Sequence, residues 1–224
     1  MTNLSKSRNY DAIEALLVFA IVMIYIWRIR AAHPFFWIVP FALILASQAI
    51  HGERPSSLGF RTAGFGDCLA VFGPAFAALA ITGWIAGSLL RTIRPQSAVQ
   101  MLASFAVYLP WGLFQQYLMN GYFLRRLETA FSRTAAGALT SALFCAAHAP
   151  NWFLMLITAM GAPAAIWVYR RYGNLWFLGL AHTVLGFVSF MIVPDSISHH
   201  LRVGPGWYPG ADLECPSCEA QSTG

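Results

Sequence analysis

The chain has 224 residues, with only fourteen Lys and Arg and nine Asp and Glu, against a hydrophobic share of 58% and a mean hydropathy of +0.57. An ordinary soluble domain carries about 25% charged residues, so 10% excludes a soluble globular fold, and the hydrophobicity excludes disorder. The net charge is +5, but the Lys and Arg stand in ones to threes at the ends of apolar runs, which marks topology signals and not a nucleic-acid surface.

What remains is an all-α fold, a polytopic membrane helix bundle. Only helices and closed barrels satisfy their backbones in lipid, and the apolar runs lack the period-two alternation of barrel strands. Residues 1–10 form a polar N-terminal segment. Apolar runs follow at 11–29, 34–50, 68–90, 100–121, 134–149, 151–169 and 174–194. With about 20 residues needed per span, these predict about seven spans in a single membrane domain, 11–194. The first run ends in Arg28 and Arg30 instead of a small-residue cleavage site, so it reads as a retained span. Segment 51–67 is polar and rich in Gly and Pro, a loop or surface helix. In the third run, Gly83 and Gly87 have the GxxxG spacing that permits close helix approach. Pro110 removes a backbone hydrogen bond in the fourth, which can open it toward a cavity. Pro150, in AHAPN, breaks the helix between the fifth and sixth. Residues 195–224 are read as an extramembrane tail. No room is left for a separate soluble catalytic domain.

With the N-terminus in the cytoplasm, that side carries nine Lys and Arg and the other five. The expected location is therefore a plasma (bacterial inner) membrane with a cytoplasmic N-terminus.

Lipid penalises polar side chains, so those deep in spans are functional candidates. Gln115 and Gln116 lie roughly 15 Å in from Arg125, His148 roughly 22 Å from Arg133, and His182 roughly 16 Å from Arg171, at the helical rise. If these arginines share one side, the spans present the four groups to one intramembrane cavity. Gln116 and Asn120 are four apart and share a helix face. Asn151 lies nearby in sequence.

These residues resemble a known family. QQYLMNG (Gln115 to Gly121), FCAAH (Phe144 to His148) and HTVLG (His182 to Gly186) follow, in order, the three motifs of the CPBP intramembrane proteases. That family includes the CAAX prenyl endopeptidases and bacteriocin-processing, Abi-like proteins. The resemblance covers about 104–193. It implies a helix bundle around a cavity and an endopeptidase acting at the membrane, with glutamate as general base and two histidines completing the site. On that basis His148, His182, Gln115 and Gln116 are the catalytic candidates, and Asn120, Phe144 and Asn151 the substrate-binding ones. His148 and His182 are also the candidate ligands of a divalent metal such as zinc. The implied partners are the lipid bilayer and a peptide, a lipidated peptide or a membrane protein.

The chain departs from the pattern. Where the family has EExxxR, it has Gln115, Gln116 and Asn120. Where the third motif has Asn, it has Gly186. An amide is not basic and cannot take a proton from water, but it orients water or a carbonyl by hydrogen bonding. Catalysis is then expected to be impaired, leaving a binding cavity. The alternatives are an active divergent endopeptidase resting on His148 and His182, or a small transporter or bis-His haem protein. Among the acids, Glu14 and Asp67 read as helix-end stabilisers. In the tail, Cys215 and Cys218 form CPSC, a local disulfide, a pair of free thiols, or half a zinc site that His199 and His200 would complete.

Overall fold

The computed structural model describes residues 2–208, with side chains from residue 9. Cys215 and Cys218 lie outside the described residues. Among the described residues every regular element is helical. Helix α1 (Thr2–Ile24) runs through the polar N-terminal segment and continues as a π turn, Tyr25–Ile29. Then come α2 (Ile38–Ile50), the short α3 (Pro55–Leu58), α4 (Phe65–Leu89) and α5 (Ala98–Gln116). The chain stays helical from α5 through a π segment, Tyr117–Leu124, into α6 (Arg125–Ala130). It continues as α7 (Arg133–Ala146), α8 (Trp152–Tyr172), α9 (Leu175–Ile192) and the short α10 (Asp195–Ser198).

Four helical stretches are long and apolar enough to cross a membrane: Asn9–Ile29, Phe65–Leu89, Trp152–Tyr172 and Leu175–Ile192. Pro34–Ile50 is apolar but shorter. Two of the other expected spans carry the polar residues. Helix α5 holds Gln100, Gln115 and Gln116, and α7 has only 14 residues, about 21 Å of rise against a ~30 Å hydrocarbon core. Large apolar side chains point outward along α4 (Val71, Leu79, Ile81, Ile85 and Leu89 are all exposed). In water such a belt would be a liability; in lipid it is the matching surface.

Side chains fix where the helices start. Ser97 caps α5 in a reciprocal box with Gln100. Ser132 caps α7, Asn151 caps α8, and Asn174 caps α9. Helix α8 stops at Gly173, whose left-handed φ of 57° suits glycine.

The central helix pair is α5 against α9, and it packs backbone to backbone. A Cβ on Gly112 would lie 2.5 Å from Thr183 Oγ1 and 3.0 Å from the Gly179 carbonyl oxygen, and a Cβ on Gly179 would lie 2.8 Å from Leu113 Cα. Helices α4 and α9 approach through the GxxxG pair, with a Gly87 Cβ meeting Ile192 at 2.8 Å. Gly112→Ala is expected to destabilise the bundle by about 1–3 kcal/mol by overpacking. Gly186→Ala is the tolerated control, because its nearest neighbour is the Tyr108 ring at 3.6 Å. Thermal unfolding in detergent reads both.

At one end of the bundle lies a buried ion network. Arg126 is 3% exposed. It bonds Glu53 at 2.8 Å and Ser47 Oγ at 3.0 Å, and lies 3.5 Å from Glu14. Tyr122 and Ser47 also donate to Glu14. Glu14 is therefore not a helix-end group: α1 begins at Thr2, so Glu14 sits three turns in and faces α6.

At the other end, residues 195–208 fold back onto the bundle. Asn151 Nδ2 donates to the carbonyls of Ser198 (2.8 Å) and Arg202 (3.0 Å), and Gly204 N–H donates to the Ala149 carbonyl (2.8 Å). The Gly204 bond satisfies a carbonyl of the α7–α8 turn, and the two Asn151 bonds satisfy carbonyls of the returning segment, which lipid could not do. Arg94 Nη1 bonds Asp195 at 2.6 Å and holds its carboxyl below the usual carboxylate range. His199 stacks on Trp207 with ring centroids 3.6 Å apart, and His200 pairs with Asp195 at 3.0 Å.

Candidate intramembrane site

Three segments meet at His182, next to the Phe144 ring. Its centroid is 4.9 Å from the His148 ring and 6.3 Å from the His182 ring, edge-on in both cases. The third segment is the end of α5. Gln116 Nε2 lies 3.1 Å from His182 Nδ1, and Asn120 Nδ2 donates to Gln116 Oε1 at 2.8 Å. The matched depths and the four-residue spacing thus bring together Gln116, Asn120, Phe144, His148 and His182.

The hydrogen bonds assign protons. His148 Nδ1 lies 2.7 Å from the Phe144 carbonyl oxygen. A carbonyl only accepts, so Nδ1 carries a proton, and in the neutral imidazole Nε2 then keeps its lone pair. Gln116 donates to His182 Nδ1, so that ring carries its proton on Nε2. Reversing both amides would turn the unmet Asn120 Oδ1 into an unmet N–H group. Buried donors go unpaired more rarely than carbonyl oxygens, which favours the arrangement described. His148 thus presents an acceptor nitrogen and His182 a donor.

The remaining candidates take other places. Gln115 is half-buried and its side chain has no hydrogen bond among the described residues. Asn151 is fully buried and spends its amide on the α8 cap and the 195–208 segment. No carboxylate bonds either site histidine among the described residues. A metal is poorly supplied: no group of three or more His, Cys, Asp or Glu gathers to hold one among the described residues. Two imidazoles and neutral amides, one of them already donating to His182, do not fit a zinc site that usually takes at least three protein ligands.

Two features were not read from the sequence. An apolar groove of about 260 Å³ lies between α5 and α9, lined by Leu109, Pro110, Leu113, Trp176 and Leu180. Leu113 lies one turn before Gln116, so the groove adjoins the site. Pro110 was its only sequence signal. The second is Gln48, 5% exposed, which accepts from Tyr117 Oη at 2.6 Å and donates to the Gly121 carbonyl at 3.3 Å. It pins the π segment from α2. A Gln inside the apolar run 34–50 was the available clue.

Residues 95–188 match the family described as type II CAAX prenyl endopeptidase, Rce1-like. The matched stretch carries Gln115, Gln116, Phe144, His148 and His182. No curated protein and no solved structure matches the chain.

Proposed function

We propose, from the premise that the chain belongs to the CPBP family through residues 95–188, that it keeps the family's intramembrane cavity as a binding site and has lost fast peptide-bond hydrolysis. That premise makes it a CAAX protease-like membrane protein. The observation that carries the further step is that neither place offers a base: the Gln115 side chain is a neutral amide without a hydrogen bond among the described residues, and the Gln116 amide is spent on His182 at 3.1 Å. A neutral amide stands where the family motif has a glutamate, and Gln115 beside it is neutral too. General bases contribute about 10²–10⁴ in rate, and an amide supplies none of it. The ligand is a peptide, a lipidated peptide or a membrane-protein segment, its apolar part lying in the groove beside Leu113 and Trp176. The protein is multi-pass in a plasma membrane with its N-terminus in the cytoplasm.

One observation favours a second reading, a slow protease. The lone pair on His148 Nε2 is a base, held ready by the bond from Nδ1 to the Phe144 carbonyl. The test compares protein N-termini in membranes holding the native chain or His148→Ala at equal abundance. Binding without cleavage predicts the same N-termini in both. New N-termini that vanish with His148→Ala would establish the protease.

A further inference from the structure

Four arginines converge at the end of the bundle away from residues 195–208. They line a cleft of about 230 Å³ with Glu128 and Tyr169: Arg61 from the loop before α4, Arg125 from α6, Arg133 from the start of α7, and Arg170 from the end of α8. Two of the charges are balanced. Arg125 pairs with Glu53, and Arg170 with Glu128, each at 2.8 Å. Glu53 is already shared with the buried Arg126. Arg61 and Arg133 have no carboxylate partner among the described residues.

Two of the guanidinium groups, those of Arg61 and Arg170, are held in place. Arg61 Nε and Nη2 donate to the carbonyls of Gly173 (3.1 Å) and Tyr172 (2.8 Å), at the end of α8. Its Nη2 end sits over Gly173, where a Cβ would meet it at 2.7 Å. Arg170 lies on Gly137 in the same way, a Cβ there meeting both terminal nitrogens at 3.2 Å. Two glycines in different segments thus make beds for two arginines. Side chains fixed in this way lose little freedom when a ligand arrives. The whole chain has a single lysine, Lys6, so every cation here is the planar fork that matches phosphate oxygens. Arg133 opens α7, Arg170 lies in the last turn of α8 and Arg61 bonds that helix end, and cations at the ends of apolar helices suit a lipid headgroup layer.

We infer that this cleft is a binding site for a phosphate-bearing anion, with Arg61 and Arg133 supplying the uncompensated charge. The chemistry is shared by two sources, the phosphodiester of an anionic lipid and a soluble phosphate. Nothing in this inference depends on the His148–His182 cavity, so either stands if the other fails.

The test uses the full chain in nanodiscs of phosphatidylcholine with or without phosphatidylglycerol. Bound lipid is read by native mass spectrometry and thermal stability by intrinsic fluorescence. Selective retention of phosphatidylglycerol is expected, falling about fivefold for each arginine neutralised. Arg133→Gln is the cleaner variant, since that side chain is exposed and has no carboxylate to orphan. Arg61→Gln also removes two backbone bonds, so its fold is checked by circular dichroism. Arg28→Gln with Arg30→Gln, at the opposite end, leaves retention unchanged. A parallel arm adds inorganic phosphate at millimolar level in phosphatidylcholine alone. Stabilisation there that Arg133→Gln abolishes, without selectivity for phosphatidylglycerol, identifies a soluble phosphate as the ligand. Retention and stabilisation that Arg133→Gln and Arg61→Gln both leave untouched would overturn the inference, as would no response to either anion.

Discussion

Arg126→Met is expected to destabilise the protein by about 3–5 kcal/mol, the usual effect of removing one partner from a buried ion pair. Arg126 is 3% exposed and touches both Glu53 and Glu14. Its removal leaves Glu53, itself only 10% exposed at the side chain, with Arg125 alone. Among the described residues it leaves Glu14 without a cation, bonded to the hydroxyls of Ser47 and Tyr122. The guanidinium also lies 5.6 Å from the Tyr122 ring centroid, so a stacking contact goes with the charge. Arg126→Lys keeps the charge but loses the fork that reaches Glu53 and Ser47 together, and should fall between Met and the native residue. The network joins α1, α2 and α6 beside the π segment that carries Asn120. Loss of Arg126 therefore weakens the floor of the candidate site as well as the fold. Thermal unfolding and protease sensitivity in detergent read both effects.

Restoring carboxylates to the first motif is expected to raise peptide hydrolysis by about 10²–10⁴. The two positions should not contribute equally. Gln116 is 5% exposed and spends its amide on His182 and Asn120. A glutamate there would be occupied by the imidazole and by the Asn120 N–H donor, and would act mainly by orienting His182. Gln115 has no such partners, so a glutamate there is free to take a proton from water. Gln115→Glu should give most of the gain and Gln116→Glu alone little. Adding His148→Ala to the double variant should abolish what was gained. Single-turnover cleavage of a prenylated CAAX-type peptide measures each step.

Several parts of this structure were legible in the sequence for physical reasons. Low charge and long apolar runs dictated helices in a membrane. Matched depth in the runs, with a spacing of four, placed Gln116 beside Asn120 and opposite His182. The GxxxG pair marked a close approach on α4 because both glycines lie on one helix, but not that the partner is α9. Gly112 and Gly179 form the closer contact but lie on different helices, and no local spacing reveals such a pair. Glu14 was misread because its partner Arg126 is more than a hundred residues away, and because the N-terminal polar segment turned out helical. The π segment depends on Gln48 reaching Gly121 from α2, a tertiary effect that residue type does not announce. Asn151 was grouped with the cavity by proximity in sequence. Its amide went instead to capping α8 and docking residues 195–208, since a break between helices at membrane depth leaves backbone groups to satisfy.

A cavity that binds without fast cleavage holds its ligand uncut. Purified native protein mixed with a prenylated CAAX-type peptide, followed by mass spectrometry over hours, tests it most directly. The peptide is expected to be retained intact, and Leu113→Trp, which fills the apolar groove, to weaken retention. Rapid release of the C-terminal tripeptide, lost in His148→Ala, would contradict it.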